Sequence, residues 1–196
     1  MEYQLITPLH EEYSVIEQIL TNRGIRLEDI PHYLNTTDKD SLPAESIANI
    51  HKAAKMLIKH LYNGKVFVQI DSDCDGYTSA AVLLNYLYQW VPSIVKKNFS
   101  YGFHLGKQHG INMEIIPEGT TLIIAPDSSS NEYEIHKELV DKGIDVLVID
   151  HHQAEYESQY ACVVNNQLCD YSTKSLSGVG MVYKVCQYLD KLNHIN

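Results

Sequence analysis

The sequence lacks the apolar segments that carry proteins into or across membranes. No run of about 18 or more apolar residues occurs, so no membrane-spanning helix is expected. The first residues, Met1 to Gln4, lack the basic start of a secretory signal peptide, and no apolar stretch follows them. We therefore expect a cytoplasmic protein that makes no contact with a membrane.

Cysteine is scarce and shows no pairing pattern. The four cysteines are Cys74, Cys162, Cys169 and Cys186, and none of them forms a CxxC pair. Four cysteines in a chain of 196 residues do not make a disulfide framework. We expect them to be buried, reduced thiols.

Basic residues are too few to balance the acidic ones. The chain has 15 Lys and Arg against 25 Asp and Glu, which gives a formal net charge of −10 at pH 7. This balance argues against a stand-alone nucleic-acid binder, which normally carries a basic face. Bound divalent cations would offset part of the negative charge, but the remaining surface would still be acidic.

The hydrophobic pattern changes at Lys65. Before it, residues 11–62 have helical spacing, with a second helix from about Ala44 to Tyr62. After it, short apolar strands alternate with helices, a pattern typical of an α/β fold with a parallel sheet flanked by helices. The predicted strands are 66–70, 121–125, 145–149 and 161–164. The predicted helices are 78–90, a helix that follows the N-cap region 128–130 and runs to about 142, and 178–192. We predict a helical N-terminal extension over 1–64 and an α/β domain over 65–196.

Acidic residues follow three of the predicted strands: Asp71 the first, Asp127 the second and Asp150 the third. In open parallel sheets, ligands bind beyond the carboxyl ends of the strands. The fold would therefore bring these side chains together where binding sites occur.

The first acidic segment, Asp71-Ser72-Asp73-Cys74-Asp75-Gly76, places three carboxylates within five residues. In an extended segment alternate side chains share a face, so all three could converge. Two carboxylates ~4 Å apart repel by roughly 4 kcal/mol at an effective dielectric near 20, which favours a bound divalent cation. An inert acidic loop is the alternative. A calcium loop would require Glu six positions after the glycine, where Val82 stands.

Two histidines follow the third acid, in Asp150-His151-His152. One imidazole can bind a metal while the other points at substrate or at a carboxylate. A nitrogen ligand shifts the preferred cation from Mg²⁺ towards Mn²⁺.

These segments together resemble the DHH phosphoesterases in their RecJ-like form. Residues 70–80 resemble motif I, Asp127 resembles motif II, and Asp150 to His152 resemble the signature triplet of motif III. Weaker flanking similarities cover residues 22–25, 101–111, 163–166 and 176–180. The resemblance therefore extends over nearly the whole chain.

The resemblance implies a DHH domain that hydrolyses phosphodiester bonds with two ions of Mn²⁺ or Mg²⁺. It implies the metal ligands Asp71, Asp73, Asp75, Asp127 and His151, with Asp127 bridging the two ions. It also implies that His152 contacts the scissile phosphate and that Asp150 orients its neighbours. The implied substrate is single-stranded nucleic acid, DNA above all, degraded from its 5′ end.

Four residues are candidate substrate contacts: Lys107, His109, Ser177 and Gly178. Backbone N–H groups at the start of the last helix could hold a phosphate. Close helix packing is the alternative explanation for Gly178 and Gly180. Lys107 also departs from the arginine usual in the family.

Two other functions stay open on the sequence alone. A DHH phosphodiesterase could act on oligoribonucleotides, cyclic dinucleotides or pyrophosphate, although its motif I usually begins with histidine and this one begins with Asp71. A replication scaffold could keep the fold without catalysis. The family's fourth motif and second domain have no counterpart before Asn196, so we expect a truncated chain with weak or no activity of its own.

Overall fold

The computed structural model, which describes residues 9–106 and 108–194, divides after Leu42 into two units. The first unit contains helices α1 (Val15–Asn22) and α2 (Ile30–Leu34). Helix α1 begins with a capping box, in which Ser14 Oγ accepts from the Glu17 amide and the Glu17 carboxylate accepts from the Ser14 amide.

The second unit, from Pro43 onward, is built on a parallel sheet. Its strands are β1 (Val66–Ile70), β2 (Phe99–Phe103), β3 (Leu122–Pro126), β4 (Asp145–Asp150) and β5 (Cys162–Asn165). Its helices are α3 (Ile50–Asn63), α4 (Cys74–Trp90), α5 (Pro92–Asn98), α6 (Tyr133–Asp141) and α7 (Gly178–His194). This architecture confirms the predicted α/β fold with helices around a parallel sheet.

The order of the strands in the sheet is β2-β1-β3-β4-β5, and all four pairings are parallel. The chain therefore moves outward from β1 to β2 in one direction and from β3 to β5 in the other. Such a reversal opens a crevice at the carboxyl ends of the two central strands, where open α/β sheets bind ligands. Here that crevice lies beyond the ends of β1 and β3.

Apolar side chains cover both faces of the sheet. On one face Phe67, Ile123 and Val148 join a core cluster that includes Leu139 of α6. Helices α4 and α7 contact each other, and both contact β3. Because the central strands are buried on both faces, they appear in the sequence as continuous apolar runs.

The sequence missed one strand and one helix. Strand β2 pairs with β1 at the edge of the sheet and is only partly buried, so its segment shows no apolar run. Helix α5 has seven residues and lies between α4 and β2, too short for a clear helical period. None of the described helices is both long and apolar enough to cross a lipid bilayer.

Helix α3 begins later than the sequence predicted. Its N-cap, Asn49, has a left-handed backbone with φ of 63°, so the helix starts at Ile50 and not near Ala44. The Asn49 side chain donates to Glu157 Oε1 at 2.8 Å and to the Val163 carbonyl at 2.9 Å. Helix α3 lies in the unit that also contains the sheet, and the predicted functional boundary at residue 65 stays a prediction.

We expect Asn49→Ala to destabilise the second unit more than Asn49→Gly. Both variants lose the side-chain hydrogen bonds, at a cost of about 1–2 kcal/mol. Only alanine adds the penalty of a left-handed backbone, roughly 1 kcal/mol more. Urea unfolding of the two variants measures the difference, and an alanine variant as stable as the glycine variant would contradict this explanation.

Candidate metal centre

The ends of three neighbouring strands place acidic side chains in one crevice. Asp71 directly follows β1, Asp127 directly follows β3, and Asp150 is the last residue of β4. All three side chains are at most 2% exposed. The fold therefore buries three carboxylates at the point where the strand order reverses.

The segment after β1 turns directly into helix α4, which corrects the prediction of an extended acidic loop. Asp73 is the N-cap of α4, and its Oδ1 accepts from the Gly76 amide at 2.9 Å. A Cβ at Gly76 would lie 2.6 Å from Asp71 Cβ, so glycine is needed for this close turn. Asp73 itself keeps an extended backbone, whereas the first turn of α4 sets the direction of Asp75.

Asp127 is the most isolated of these acids. Among the residues that the structure describes, neither of its carboxylate oxygens has a hydrogen-bond partner. His151 Nε2 lies 3.1 Å from Asp127 Oδ1, but the two are not aligned as a hydrogen bond. Burial, reinforced by the charges of Asp75 and Asp73, raises the pKa of Asp127 to about 7.

The arrangement around Asp127 suits a divalent cation. Neighbouring ligands of an octahedral ion with bonds near 2.05 Å lie about 2.9 Å apart, close to the observed separation of His151 and Asp127. A buried carboxylate without donors is costly unless a positive charge offsets it. The donor set of one imidazole and several carboxylates matches the ligands of Mn²⁺ and related metals.

Asp75 connects this centre to helix α7. Its Oδ2 accepts from the Gly178 amide at 2.8 Å, and its Oδ1 accepts from the Val179 amide at 2.9 Å. Its Oδ2 also lies 3.5 Å from His151 Nε2. Asp75 thus caps the positive end of α7 while it stays within reach of the predicted metal ligand His151.

Asp150 makes the contacts of an orienting group. Its Oδ1 accepts from the amides of His151 at 2.7 Å and His152 at 3.2 Å, and from His152 Nδ1 at 2.8 Å. Its Oδ2 accepts from the Ser130 amide at 3.2 Å. Burial alone would raise the pKa of Asp150, but these hydrogen bonds lower it below its usual value.

His152 is held by Asp150 and surrounded by acids. Burial alone would lower its pKa, but the hydrogen bond and charge of Asp150, with the charges of Asp127 and Asp71, raise it above the usual value. A raised pKa favours the imidazolium form, which donates hydrogen bonds to anions.

The structure groups the candidate ligands into two clusters. Asp127, His151 and His152 form one, and Asp71, Asp73 and His109 form the other. Within each cluster the potential ligand atoms lie within 4.8 Å of one another. Asp75 adjoins the first cluster through His151, and the predicted bridging role of Asp127 stays a prediction.

The four predicted substrate contacts lie in different settings. Lys107 is outside the described residues. His109 Nδ1 lies 2.8 Å from Asp71 Oδ2. Ser177 is exposed, and its Oγ accepts from the Gly180 amide at 3.3 Å.

Gly178 is packed directly against Asp127. A Cβ at this position would lie 2.1 Å from Asp127 Oδ1, and the Gly178 amide already donates to Asp75. The close-packing explanation therefore accounts for Gly178 in this structure, and a contact with phosphate stays a prediction.

Sequence reasoning missed the residues that hold the centre's loops. Asn165 donates to Ser130 Oγ at 2.9 Å and to the His152 carbonyl at 2.9 Å. Asp127 and Ser129 have positive φ values of 71° and 80°, so the loop after β3 turns sharply. Asp tolerates this region better than most residues, but a single sequence gives no signal for it.

The serines of this loop line a cavity of about 380 Å³ together with Asp71, His109, Asp127 and His152. Two of the predicted metal ligands, Asp71 and Asp127, thus border one pocket, which is large enough to admit part of a small polar molecule.

Comparison with known proteins agrees with this geometry. A family model described as the DHH family, N-terminal domain, matches residues 65–196. The chain is 44% identical over 196 residues to a candidate single-strand DNA-specific exonuclease, YorK, derived from the SPbeta prophage of Bacillus subtilis (strain 168). That alignment covers 98% of this chain and 33% of the relative.

Two further similarities concern RecJ proteins. The chain is 29% identical over 195 residues to the single-stranded-DNA-specific exonuclease RecJ of Bacillus subtilis, covering 94% of this chain and 23% of that protein. The crystal structure of RecJ in complex with Mn²⁺ from Thermus thermophilus matches with a TM-score of 0.64 and 23% identity. That match covers 79% of this chain and 22% of the RecJ chain, so the chain spans a third or less of these relatives.

We expect Asp127→Asn to stabilise the metal-free protein and to reduce its response to Mn²⁺, because the cation position at Asp127 and His151 loses a ligand. The folded-state pKa of about 7 lies above the unfolded value, so this carboxylate destabilises the fold at pH 7 and above. This destabilisation disappears as the carboxylate is protonated, while the pH falls from about 7 towards 4. Removing the negative charge should raise the free energy of unfolding of the metal-free protein by up to ~4 kcal/mol.

Thermal unfolding with and without Mn²⁺ tests this expectation. Asp141→Asn is the matched control, because it removes an exposed carboxylate from α6. The control should keep the wild-type rise in Tm with Mn²⁺. A full Mn²⁺ response in Asp127→Asn would show that Asp127 is not a ligand.

We expect Gly178→Ala to disrupt the centre and Gly180→Ala to leave it intact. The new methyl group at 178 would overlap the Asp127 carboxylate, whereas at 180 its nearest neighbour would be 3.5 Å away. In a helix interior alanine is otherwise preferred over glycine by up to ~1 kcal/mol. Tm measured with Mn²⁺ should therefore fall in the first variant only, and equal behaviour of the two variants would refute the packing argument.

Proposed function

Because the chain belongs to the DHH family, we propose that it is the metal-binding part of a RecJ-like exonuclease that hydrolyses phosphodiester bonds in single-stranded DNA. One observation carries the proposal: Asp127 is buried, lacks a hydrogen-bond donor among the described residues, and faces His151 at the ends of the central strands. Such a carboxylate is suited to a divalent cation. The sequence similarity to single-strand-specific exonucleases supports the choice of substrate.

Two divalent cations, Mn²⁺ or Mg²⁺, would be held by residues of this chain. Asp127 and His151, with Asp75 beside them, would hold one ion, and Asp71 and Asp73 would hold the other. When bound, such ions polarise phosphoryl oxygens and acidify water. The imidazole of His151 favours Mn²⁺ over Mg²⁺.

His152 would bind and orient the scissile phosphate. Asp150 fixes one ring nitrogen of His152, and the raised pKa keeps the ring protonated to a higher pH than usual. An imidazolium at this position places a positive charge and a donor beside the carboxylate cluster. It would stabilise the charge that develops on the phosphoryl oxygens during hydrolysis.

The acidic character of the chain fits a catalytic segment better than a nucleic-acid clamp. With a net charge of −10, it offers little attraction to a phosphate backbone outside its metal centre. Within this segment, the substrate would therefore be held mainly through the cations and His152. A cytoplasmic location is part of the same proposal.

Hydrolysis assays on the protein that carries this segment test the proposal. With Mn²⁺ we expect degradation of 5′-labelled single-stranded DNA, slower degradation of duplex DNA, and loss of at least 100-fold in rate for Asp127→Asn. Gly180→Ala should remain active, because its new methyl group makes only ordinary contacts. Preferential hydrolysis of cyclic dinucleotides or short oligoribonucleotides would overturn the substrate assignment.

A further inference from the structure

His109 lies on the loop between β2 and β3 and reaches the carboxylates that follow β1. We infer that His109 is a nitrogen ligand of the cation held by Asp71 and Asp73, so that both metal positions, and not one, contain an imidazole. This inference rests on the metal-dependent function proposed above and adds a ligand to it. It also replaces the direct substrate contact that the sequence suggested for His109.

The contact geometry supports this role. His109 Nδ1 is 2.8 Å from Asp71 Oδ2, and one ligand atom from each of His109, Asp71 and Asp73 lies within 4.8 Å of the others. A separation of 2.8 Å is close to the ~2.9 Å expected for neighbouring ligands of one octahedral ion. A cation could therefore bind these atoms with little movement of the side chains.

A hydrogen bond from His109 alone would not compensate for the burial of the Asp71 carboxylate. Asp71 is 2% exposed, and its Oδ1 has no hydrogen-bond partner among the described residues. A buried carboxylate oxygen without a donor costs about 1–3 kcal/mol. The second carboxylate, Asp73, adds repulsion to the same cluster. A bound cation would satisfy the Oδ1 oxygen of Asp71 and offset both charges.

The loop holds His109 in place from both sides. Ser72 Oγ donates to the Gln108 carbonyl at 2.5 Å, and His104 Nε2 lies 2.8 Å from the Gly110 carbonyl. On the far side the Glu132 carboxylate accepts from the Ile111 amide at 2.9 Å. These contacts fix the backbone on both sides of His109.

Gly110 allows the loop to pass close to Glu132. Its φ is +84°, and a Cβ there would lie 2.0 Å from Glu132 Oε1. The side chain of His109 is 58% exposed, so apolar burial gives it little reason to occupy this position. A ligand whose backbone is already fixed loses little entropy when it binds a metal.

A second imidazole changes which metals the centre prefers. Oxygen-only sites suit Mg²⁺, whereas imidazole favours Mn²⁺ and later transition metals. The Asp71 position would therefore bind Mn²⁺ more tightly than an all-carboxylate site would. Loss of His109 should weaken Mn²⁺ binding more than Mg²⁺ binding.

Binding of Mn²⁺, followed by electron paramagnetic resonance of the free ion, tests the inference without measuring activity. In His109→Gln we expect one Mn²⁺ position to weaken by about 10-fold or more, while affinity for Mg²⁺ changes much less. Pulsed electron paramagnetic resonance of the Mn²⁺ bound to this variant should show fewer couplings to nitrogen nuclei than the wild type shows. Gln108→Ala is the matched control, because Gln108 contributes its backbone carbonyl to the loop contact with Ser72.

The outcomes separate the two proposals. Wild-type protein that binds no Mn²⁺ would refute the proposed metal-dependent function. Wild-type binding that persists unchanged in His109→Gln would overturn only the role of His109. Equal losses of Mn²⁺ and Mg²⁺ binding in that variant would also overturn it, because they would indicate a structural role for the loop.

Discussion

The arrangement of the second unit depends on one electrostatic constraint, the burial of several carboxylates at the ends of adjacent parallel strands. Asp71, Asp127 and Asp150 are each at most 2% exposed. The three carboxylates differ in the groups that surround their negative charge. Asp150 accepts several hydrogen bonds, and Asp71 lies within hydrogen-bond distance of His109. Asp127, in contrast, has no aligned donor among the described residues. The carboxylate without a donor marks the position where a cation is most strongly favoured.

The surrounding elements are fitted to this centre. Asp73 begins α4, Asp75 caps α7, and Gly178 at the start of α7 leaves room for Asp127. The start of each of these two helices is therefore fixed by an acidic side chain of motif I. A change in the charge of the centre would act on the packing of α4 against α7, since the same carboxylates serve both.

Much of the fold was predictable because its signals are local. The apolar runs of β1, β3 and β4 identify buried parallel strands, and the acids that follow them indicate the binding edge. The edge strand β2 was missed because half-exposed residues give no apolar run. The prediction of an extended acidic loop was wrong because Asp73 caps helix α4 through the Gly76 amide, three residues along the chain. The first turn of α4 contains Asp75 and Gly76, so apolar spacing gives no signal for the start of this helix.

By itself, the sequence determined the family, the parallel α/β architecture and the identities of the acids and histidines at the strand ends, because these follow from periodicity and short motifs. Only the tertiary structure decided how those residues are grouped. It joined His109 to Asp71 across 38 positions and Asp75 to Gly178 across 103. It also left Asp127 without an aligned donor among the described residues. Such groupings depend on where loops and helix ends meet in space, and no local pattern of residues encodes that meeting.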